Sequence, residues 1–96
     1  MSHTVMLEIN VKPGLGAAVF PGIVASLVDT RAYAGAELIE AYIDADNPDC
    51  IMVWEKWESR SHQEAYLNWR VETGMVEALA DVVAAPPRFT HLTPAE

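Results

Sequence analysis

Four segments of the chain show the pattern of β-strands, in which successive side chains point to opposite faces. Apolar and polar residues alternate in 3–11 and again in 36–43, whereas 51–58 is apolar or aromatic on both faces. The short segment 88–92 follows two prolines and predicts a final edge strand. Polar turn residues fill 45–49, so the second and third strands are expected to form a hairpin.

The segment between the first two strands predicts a helix, because apolar residues recur at helical spacing over 15–30. Pro21 interrupts this pattern, since a proline inside a helix removes a backbone donor and costs about 3 kcal/mol. We therefore expect the helix to begin at Pro21, with 14–20 as an irregular or separately helical entry. Residues 29–35 are expected to connect this helix to the second strand.

The segment after the third strand predicts a second helix with an unusual aromatic stripe. Ser61 and Glu64 match an S-x-x-E capping box and predict the start of this helix. Gly74 predicts its end, and 75–85 predicts a further short helix. Four residues share one stripe of the second helix: His62, Tyr66, Trp69 and Thr73.

The element order β-α-β-β-α-β predicts an α+β fold of the ferredoxin-like βαββαβ type, a four-stranded antiparallel sheet with helices on one face. The other face would be apolar on strands one and three, and so large an apolar surface is expected to be covered. A symmetric homodimer with two sheets face to face would cover it. Trp54 and Trp57 point to opposite faces of the third strand, one towards a pocket and one towards the dimer seam.

Composition narrows the class of protein. The 96 residues predict a single domain over 1–96, and the formal net charge of −8 argues against nucleic acid or an anionic membrane surface as partner. No apolar run approaches the roughly 20 residues of a membrane span, so a cytoplasmic location is expected. Cys50 is the only cysteine and the three histidines lie far apart in sequence, so neither a disulfide nor a metal site is expected.

Several short motifs, taken in their order, resemble the antibiotic biosynthesis monooxygenase (ABM) family. Residues 57–59 read W-E-S at the end of the third strand, and H-Q-E-A-Y-L follows at 62–67, as in the V-W-E-S…H-L signature of that family. Residues 30–35 resemble its T-R-x-x-x-G connector. The resemblance extends over 5–92.

The resemblance implies a dimeric α/β barrel with a small-molecule pocket between each sheet and its own helices. Characterised relatives oxidise quinol-like or polyketide aromatic substrates with O2 and use neither metal nor flavin, so no cofactor is expected. Other relatives degrade haem, but this chain has Glu8, Tyr66 and Val76 at the positions of their haem-handling residues. Haem degradation is therefore not expected.

A cofactor-free oxygenase has to bind an electron-rich phenol or hydroquinone, help to remove its proton and exclude water. We assign catalytic roles to Glu8, His62 and Tyr66, with His62 or Glu8 as the base. The residues expected to bind the substrate are Asn10, Trp54, Trp57, Trp69 and Arg70. Among these, Arg70 would stabilise a developing oxyanion.

Each of these assignments has a structural alternative. The aromatic stripe is also compatible with ordinary core packing, and His62 with a surface position near the start of the helix. Glu8 could instead pair with a nearby base, and Arg70 with a surface acid. At the level of function, a non-catalytic binding module and a proton-transfer isomerase or cyclase are the alternatives to an oxygenase.

Overall fold

The computed structural model describes residues 2–95, which form four strands and three helices. In chain order the elements are β1 (His3–Asn10), α1 (Gly16–Ala32), β2 (Ala36–Asp44), β3 (Asn47–Trp57), α2 (Arg60–Glu72), α3 (Met75–Ala80) and β4 (Arg88–Leu92). The strands form one antiparallel sheet in the order β2-β3-β1-β4, and α1 and α2 pack on one of its faces. The predicted ferredoxin-like α+β fold is confirmed.

The hairpin between β2 and β3 is confirmed, but its turn is shorter than predicted. Asn47 pairs with Asp44, so only Ala45 and Asp46 lie in the turn and β3 begins at Asn47. The Asp46 backbone N–H donates to Asp44 Oδ1 at 2.9 Å, which closes the turn locally. Polar residues such as these favour turns without excluding the ends of strands, so the pattern extended the turn too far.

The first helix continues through Pro21, so the expectation that it begins there is wrong. Pro21 is exposed, and its ring faces the solvent side of α1, where water can satisfy the carbonyl that loses its partner. The helix also extends to Ala32, which leaves only Tyr33–Gly35 as the connector to β2. Gly35 has a φ of 90°, a left-handed conformation that glycine adopts without strain.

The start of α1 is fixed against the beginning of β3. The Asp49 carboxylate accepts hydrogen bonds from the backbone N–H groups of Gly14, at 3.0 Å, and Gly16, at 2.9 Å. These bonds stabilise the charged form and lower the pKa of Asp49. Gly16 is required here for space, since a Cβ would lie 1.8 Å from the carbonyl oxygen of Pro48.

The second helix is capped by Ser59, and the capping box predicted at Ser61 and Glu64 is wrong. Ser59 is extended, and its Oγ accepts a hydrogen bond from the His62 backbone N–H at 3.3 Å. Since β3 ends at Trp57, the chain enters the helix two residues earlier than the box predicts. Gly74, with a φ of 84°, separates α2 from α3.

The core lies between the sheet and the helices. In one cluster Leu27 of α1 packs on the sheet, and in the other Ile23 does so. The buried sheet residues of these clusters are Val5, Ile9, Ile39, Ile51, Val53 and Trp57. None of the residues of α3 is buried, so this short helix is the most thinly packed element on this side.

The opposite sheet face, here called the open face, carries no helix. Met6 pairs with Trp54, and Met52 pairs with Tyr42. Met6, Met52 and Trp54 are half-buried within the single chain, while Tyr42 is 51% exposed. The central position predicted for β3 is confirmed, although in the single chain only its helix side is fully covered. Within residues 2–95, no helix has the length and apolar character needed to cross a bilayer.

Candidate functional site

A small apolar cavity lies between the sheet and the helices. Its volume is about 70 Å³, and Leu7, Val53 and Phe89 line its floor. Side chains of α1, α2 and α3 form its walls. A groove of about 250 Å³ adjoins it and shares six lining residues: Leu7, Ile9, Leu67, Val76, Leu79 and Phe89. Cavity and groove are therefore neighbouring apolar spaces, and residues of α3 and β4 line both.

Arg70, from α2, is the cation of this cavity and is only 8% exposed. Its Nε donates to Tyr66 Oη at 2.6 Å, and its Nη2 donates to the Ser26 carbonyl at 2.7 Å and to Thr30 Oγ1 at 3.1 Å. Tyr66 Oη and Thr30 Oγ1 are themselves 2.6 Å apart. The network joins α1 to α2 through three side chains and the Ser26 carbonyl, which meet at one cavity wall.

Among residues 2–95, the guanidinium of Arg70 has no carboxylate partner. Neither of the ion pairs found within residues 2–95 includes it, and every hydrogen-bond acceptor it reaches is neutral. The rings of Tyr66 and Trp69 offset part of this charge, since Arg70 Cζ lies 5.2 Å and 4.7 Å from their centroids. A buried cation without a counter-ion favours the binding of an anion.

Glu55, on β3, is the carboxylate of the same cavity. It is 3% exposed, and Trp57 Nε1 donates to its Oε1 at 2.9 Å. Burial raises the pKa of Glu55 to about 7, although the hydrogen bond from Trp57 acts in the opposite direction. No described group donates to Oε2. At neutral pH this carboxyl group is therefore able either to accept or to donate a proton.

A cluster of aromatic rings packs against Tyr66, on the side of the Arg70 network that faces away from the cavity. The Trp57 ring lies 5.0 Å from that of Tyr66, and Tyr33 contacts both Tyr66, at 5.4 Å, and Trp69, at 5.5 Å between centroids. Trp57 is fully buried, whereas Trp69 is half-buried. Of these four rings only Tyr66 lines the cavity, so the others fix its position.

The expectation that Glu8 and Asn10 face the aromatic stripe is wrong. They alternate with Val5, Leu7 and Ile9, whose side chains point to the helices, so both lie on the open face. There Asn10 Nδ2 donates to Glu8 Oε2 at 3.2 Å. The sequence pattern had already separated the two faces of β1, but it did not show which one the helices cover.

His62 lies in the first turn of α2 and does not line the cavity. Its Nδ1 is 2.7 Å from Ser59 Oγ, and its ring packs on Gly35, where a Cβ would lie 2.4 Å from the ring. The inward stripe of α2 is consequently not the one predicted. The two buried residues of this helix are Gln63 and Arg70, with Tyr66 and Leu67 between them at the cavity wall.

The tryptophans occupy three different surroundings. Trp54 lies on the open face and Trp57 beneath the helices, as their alternation predicted. Trp69 contacts Arg70 from outside the cavity. Of the residues predicted to bind or act on a substrate, the structure brings Tyr66, Arg70, Trp57 and Trp69 together and leaves the others elsewhere.

Three residues of the site were missed in the sequence: Glu55, Thr30 and Ser26. A signal existed for Glu55, because it is a lone carboxylate on a strand face otherwise made of Ile51, Val53 and Trp57. The side chain of Thr30 is buried in the network, and the next residue, Arg31, donates to the Ile39 carbonyl at 3.0 Å. The Thr-Arg pair of the connector motif thus connects the end of α1 both to the cavity and to β2.

No group of three or more potential metal ligands occurs among residues 2–95. His3 and His91 come closest to such a group, with Nε2 and Nδ1 2.8 Å apart at the edge of the sheet. Among its lining residues the cavity has one carboxylate, one guanidinium and otherwise neutral groups, a set that would suit proton transfer or the binding of an anion.

The structure is a ferredoxin-like α+β domain with a small apolar cavity between the sheet and the helices. The family model of the antibiotic biosynthesis monooxygenases matches residues 2–80 of the chain. The protein belongs to this family, as its motifs predicted.

Solved structures share the fold at low sequence identity. One is a protein from Pseudomonas aeruginosa, PA3566, with a TM-score of 0.84 and 17% identity, covering 99% of this chain and 95% of that one. Another is an antibiotic biosynthesis monooxygenase with a TM-score of 0.85 and 16% identity, in which both chains are covered completely, at 100%. Rv0793 from Mycobacterium tuberculosis has a TM-score of 0.75 and 22% identity, with coverages of 100% and 97%. The search of curated proteins gave no significant match.

Proposed function

We propose that this protein is a cofactor-independent monooxygenase that oxidises an electron-rich aromatic or quinol-like small molecule with O2. The observation that carries the proposal is the partly open apolar cavity in which the buried Arg70, which has no carboxylate partner among residues 2–95, and the hydroxyl of Tyr66 meet. Membership of the ABM family supports the reaction type. The position of Arg70 and Tyr66 in the wall of the cavity supports this cavity as the place of the reaction.

The size of the space bears on the substrate. A cavity of about 70 Å³ holds two water molecules, whereas a benzene ring occupies one of roughly 150 Å³. The adjoining groove of about 250 Å³ supplies the missing room once Val76 and Leu79 of α3 move aside. The site therefore suits a planar substrate of one or two rings, with its polar end at Arg70.

The proposed reaction requires the protein to help remove one proton from the substrate and to stabilise the resulting anion. Loss of a proton from a phenol or hydroquinone gives an anion that donates electrons to O2 far more readily than the neutral molecule does. The residues around the cavity would bind and orient the ring, and Arg70 would stabilise the anionic oxygen. Apolar side chains of the sheet and of α3 would exclude water from the reacting anion.

A second copy of the chain on the open face completes the proposed molecule. The apolar residues of this face, Met6, Met52, Trp54, Leu38 and Tyr42, extend over three strands. The same face carries both charge signs, with Glu8 opposite Arg88 in register and Lys56 opposite Leu38. A two-fold axis can place such charges opposite each other, so a homodimer buries the apolar area without isolating a charge.

Oxygen consumption tests the proposal directly. A panel of substituted hydroquinones and polycyclic phenols, each incubated with the protein in an oxygen-electrode cell, should include compounds that consume O2 only when protein is present. Saturable quenching of tryptophan fluorescence without O2 consumption by any compound would instead indicate a binding module.

Replacement of Tyr66 by Phe gives a sharper test of the site. The variant removes one hydroxyl from the Arg70 network and leaves the ring contacts with Trp57 in place. We expect turnover to fall roughly 10- to 100-fold, in line with the loss of one charge-assisted hydrogen bond. Tyr42→Phe, on the open face, is the matched control and should leave turnover unchanged. Equal turnover in both variants would place the reaction elsewhere.

A proton-transfer isomerase or cyclase is the second candidate, and Glu55 favours it. A buried carboxyl group with a pKa of about 7 is suited to moving a proton between two carbon or oxygen atoms without any oxidant. Substrate loss that continues at the same rate under nitrogen would support this reaction and contradict the monooxygenase.

A further inference from the structure

The cavity contains two opposite charges that do not neutralise each other. Glu55 and Arg70 both line it, yet no ion pair joins them among the described residues. Each charge is therefore poorly placed in the free protein. The carboxylate lies among apolar side chains with one hydrogen bond from Trp57, and the guanidinium has only neutral acceptors.

An acidic hydroxyl compound would improve the surroundings of both charges. If its proton moved to Glu55, the carboxyl group would become neutral, which its apolar surroundings favour. If its oxygen kept the negative charge beside Arg70, the buried cation would gain a counter-ion. The negative charge would thus be transferred from an unfavourable position to a favourable one.

From this geometry we infer that the pocket takes phenols or enols as their anions, with Glu55 as the proton acceptor and Arg70 as the group that binds the oxyanion. In this step the hydroxyl O–H bond breaks, the proton bonds to Glu55 Oε2, and the electron pair remains on the ligand oxygen. The inference rests on the proposed pocket and adds to it the identity of the base, Glu55.

The surroundings of Glu55 leave few competing acids and bases. Its register partners are Val5 on β1 and Ile39 on β2, and α1 faces the cavity with Ser26 and Thr30. Helix α3 contributes Met75, Val76 and Leu79, none of which titrates. Tyr66 and Arg70 are the other ionisable residues that line the cavity. On β1 and β4 the ionisable side chains of the same sheet face are His3 and His91.

The test uses 4-nitrophenol as probe and measures protons exchanged on binding, by calorimetry in buffers of different ionisation enthalpy. At about pH 8.5 the probe is a phenolate in solution, and its binding should be accompanied by uptake of close to one proton by Glu55. At about pH 5.5 Glu55 is already protonated, so the neutral phenol should bind as phenolate and release close to one proton. The phenolate absorbance of the bound probe reports its ionisation independently.

Variants assign the two roles. Glu55→Gln keeps the oxygen that accepts from Trp57, and it should abolish proton uptake at the higher pH while phenolate binding persists. Arg70→Met should abolish phenolate absorbance at the lower pH and weaken probe affinity roughly 10- to 100-fold. His91→Gln is the control and should leave the proton uptake unchanged. If Arg70→Met does not fold, the inference is tested by Glu55→Gln alone. A variant that still binds the phenolate but takes up no proton cannot have lost the uptake through unfolding.

Nitrobenzene, which has no hydroxyl group, separates this inference from the proposed pocket. Binding of nitrobenzene together with proton-neutral binding of 4-nitrophenol would leave the pocket intact and overturn the anion inference. Failure of both probes to bind would overturn the pocket and the inference together. A wild-type proton uptake that survives in Glu55→Gln would assign the base to another residue and also contradict the inference.

Discussion

Burial changes the pH at which Glu55 holds its proton, and this single residue gives the stability of the protein a pH dependence. Its pKa in the folded protein is about 7, against 4.5 for an ordinary glutamate. Between these values the folded state binds more protons than the unfolded state, so stability falls as pH rises through this window. Above pH 7 the loss is complete and amounts to about 3 kcal/mol.

Replacement of Glu55 by Gln should remove this loss. We expect the variant to be more stable than the natural protein by about 2–3 kcal/mol above pH 8, because the buried charge is absent. Near pH 4.5 the two should be equally stable. Urea unfolding at a series of pH values measures the difference, and Glu72→Gln, at an exposed position, should follow the natural protein throughout. A constant difference at every pH would contradict the buried titration.

Gln63 presents the opposite case, a buried polar residue that does not titrate. It is 1% exposed, and neither amide atom has a hydrogen-bond partner among residues 2–95. Gln63→Met keeps the length of the side chain and removes both unpartnered atoms, so we expect a gain of about 1–2 kcal/mol in the free energy of unfolding. Asn68→Met, on the exposed side of α2, should change it by less than about 0.5 kcal/mol. A loss of stability in Gln63→Met would show that a water or ligand satisfies the amide.

Residue types also explain why only part of the site was predictable. Tyr66 and Arg70 were found because aromatic and cationic side chains stood out on an otherwise ordinary helix. Glu55 was overlooked because alternation grouped it with Ile51, Val53 and Trp57 but did not show that the helices cover this face, and carboxylates are mostly exposed. Thr30 is neutral and small, and its role depends on Arg70 approaching from 40 positions further along the chain. Contacts of this kind arise only when the helices pack.

At the level of elements, alternation predicted the four strands well and the helix ends poorly. A strand face is either buried or open over its whole length, so its pattern is regular. The end of a helix depends on a single N-cap residue, and 59–64 contains two serines, each of a residue type that is favoured at the N-cap. Similarly, Pro21 was expected to start a helix, but an exposed proline is tolerated inside α1 because solvent replaces the lost hydrogen bond.

The two serines can be distinguished by experiment. Ser59→Ala removes the oxygen that accepts from the His62 N–H, so we expect a loss of about 1 kcal/mol in the free energy of unfolding. Ser61→Ala, inside the first turn, should cost less than about 0.5 kcal/mol or even stabilise the helix. Thermal unfolding followed by circular dichroism compares them. A larger loss of stability in Ser61→Ala than in Ser59→Ala would indicate that Ser61 is the N-cap residue.

At the level of the whole molecule, the open face is where the predicted second copy would bind. The order of elements predicted the sheet and its one-sided helices, and the structure confirms both. The partner on the open face stays a prediction, because a single chain leaves Met6, Met52 and Trp54 only half-buried. Assembly therefore has to be measured.

Trp54→Glu tests the dimer. The change places a charge in the middle of the open face, where a second copy would have to bury it without a partner, so we expect the variant to be a monomer. Val28→Glu, on the exposed side of α1 at 66% exposure, is the control and should assemble like the natural protein. Sedimentation equilibrium at micromolar concentrations distinguishes one chain from two. A natural protein that is monomeric under these conditions would contradict the dimer.

Because α3 is thinly packed, it should be the wall of the cavity that opens most readily. With no buried residue of its own, this helix should open with a smaller free energy than the sheet beneath it. The Ala78 amide, bonded to the Gly74 carbonyl at 2.9 Å, should consequently exchange with deuterium long before the amides of β3. A ligand bound in the cavity behind α3 should slow this exchange, so the protection of the Ala78 amide would report the fraction of the protein that is occupied.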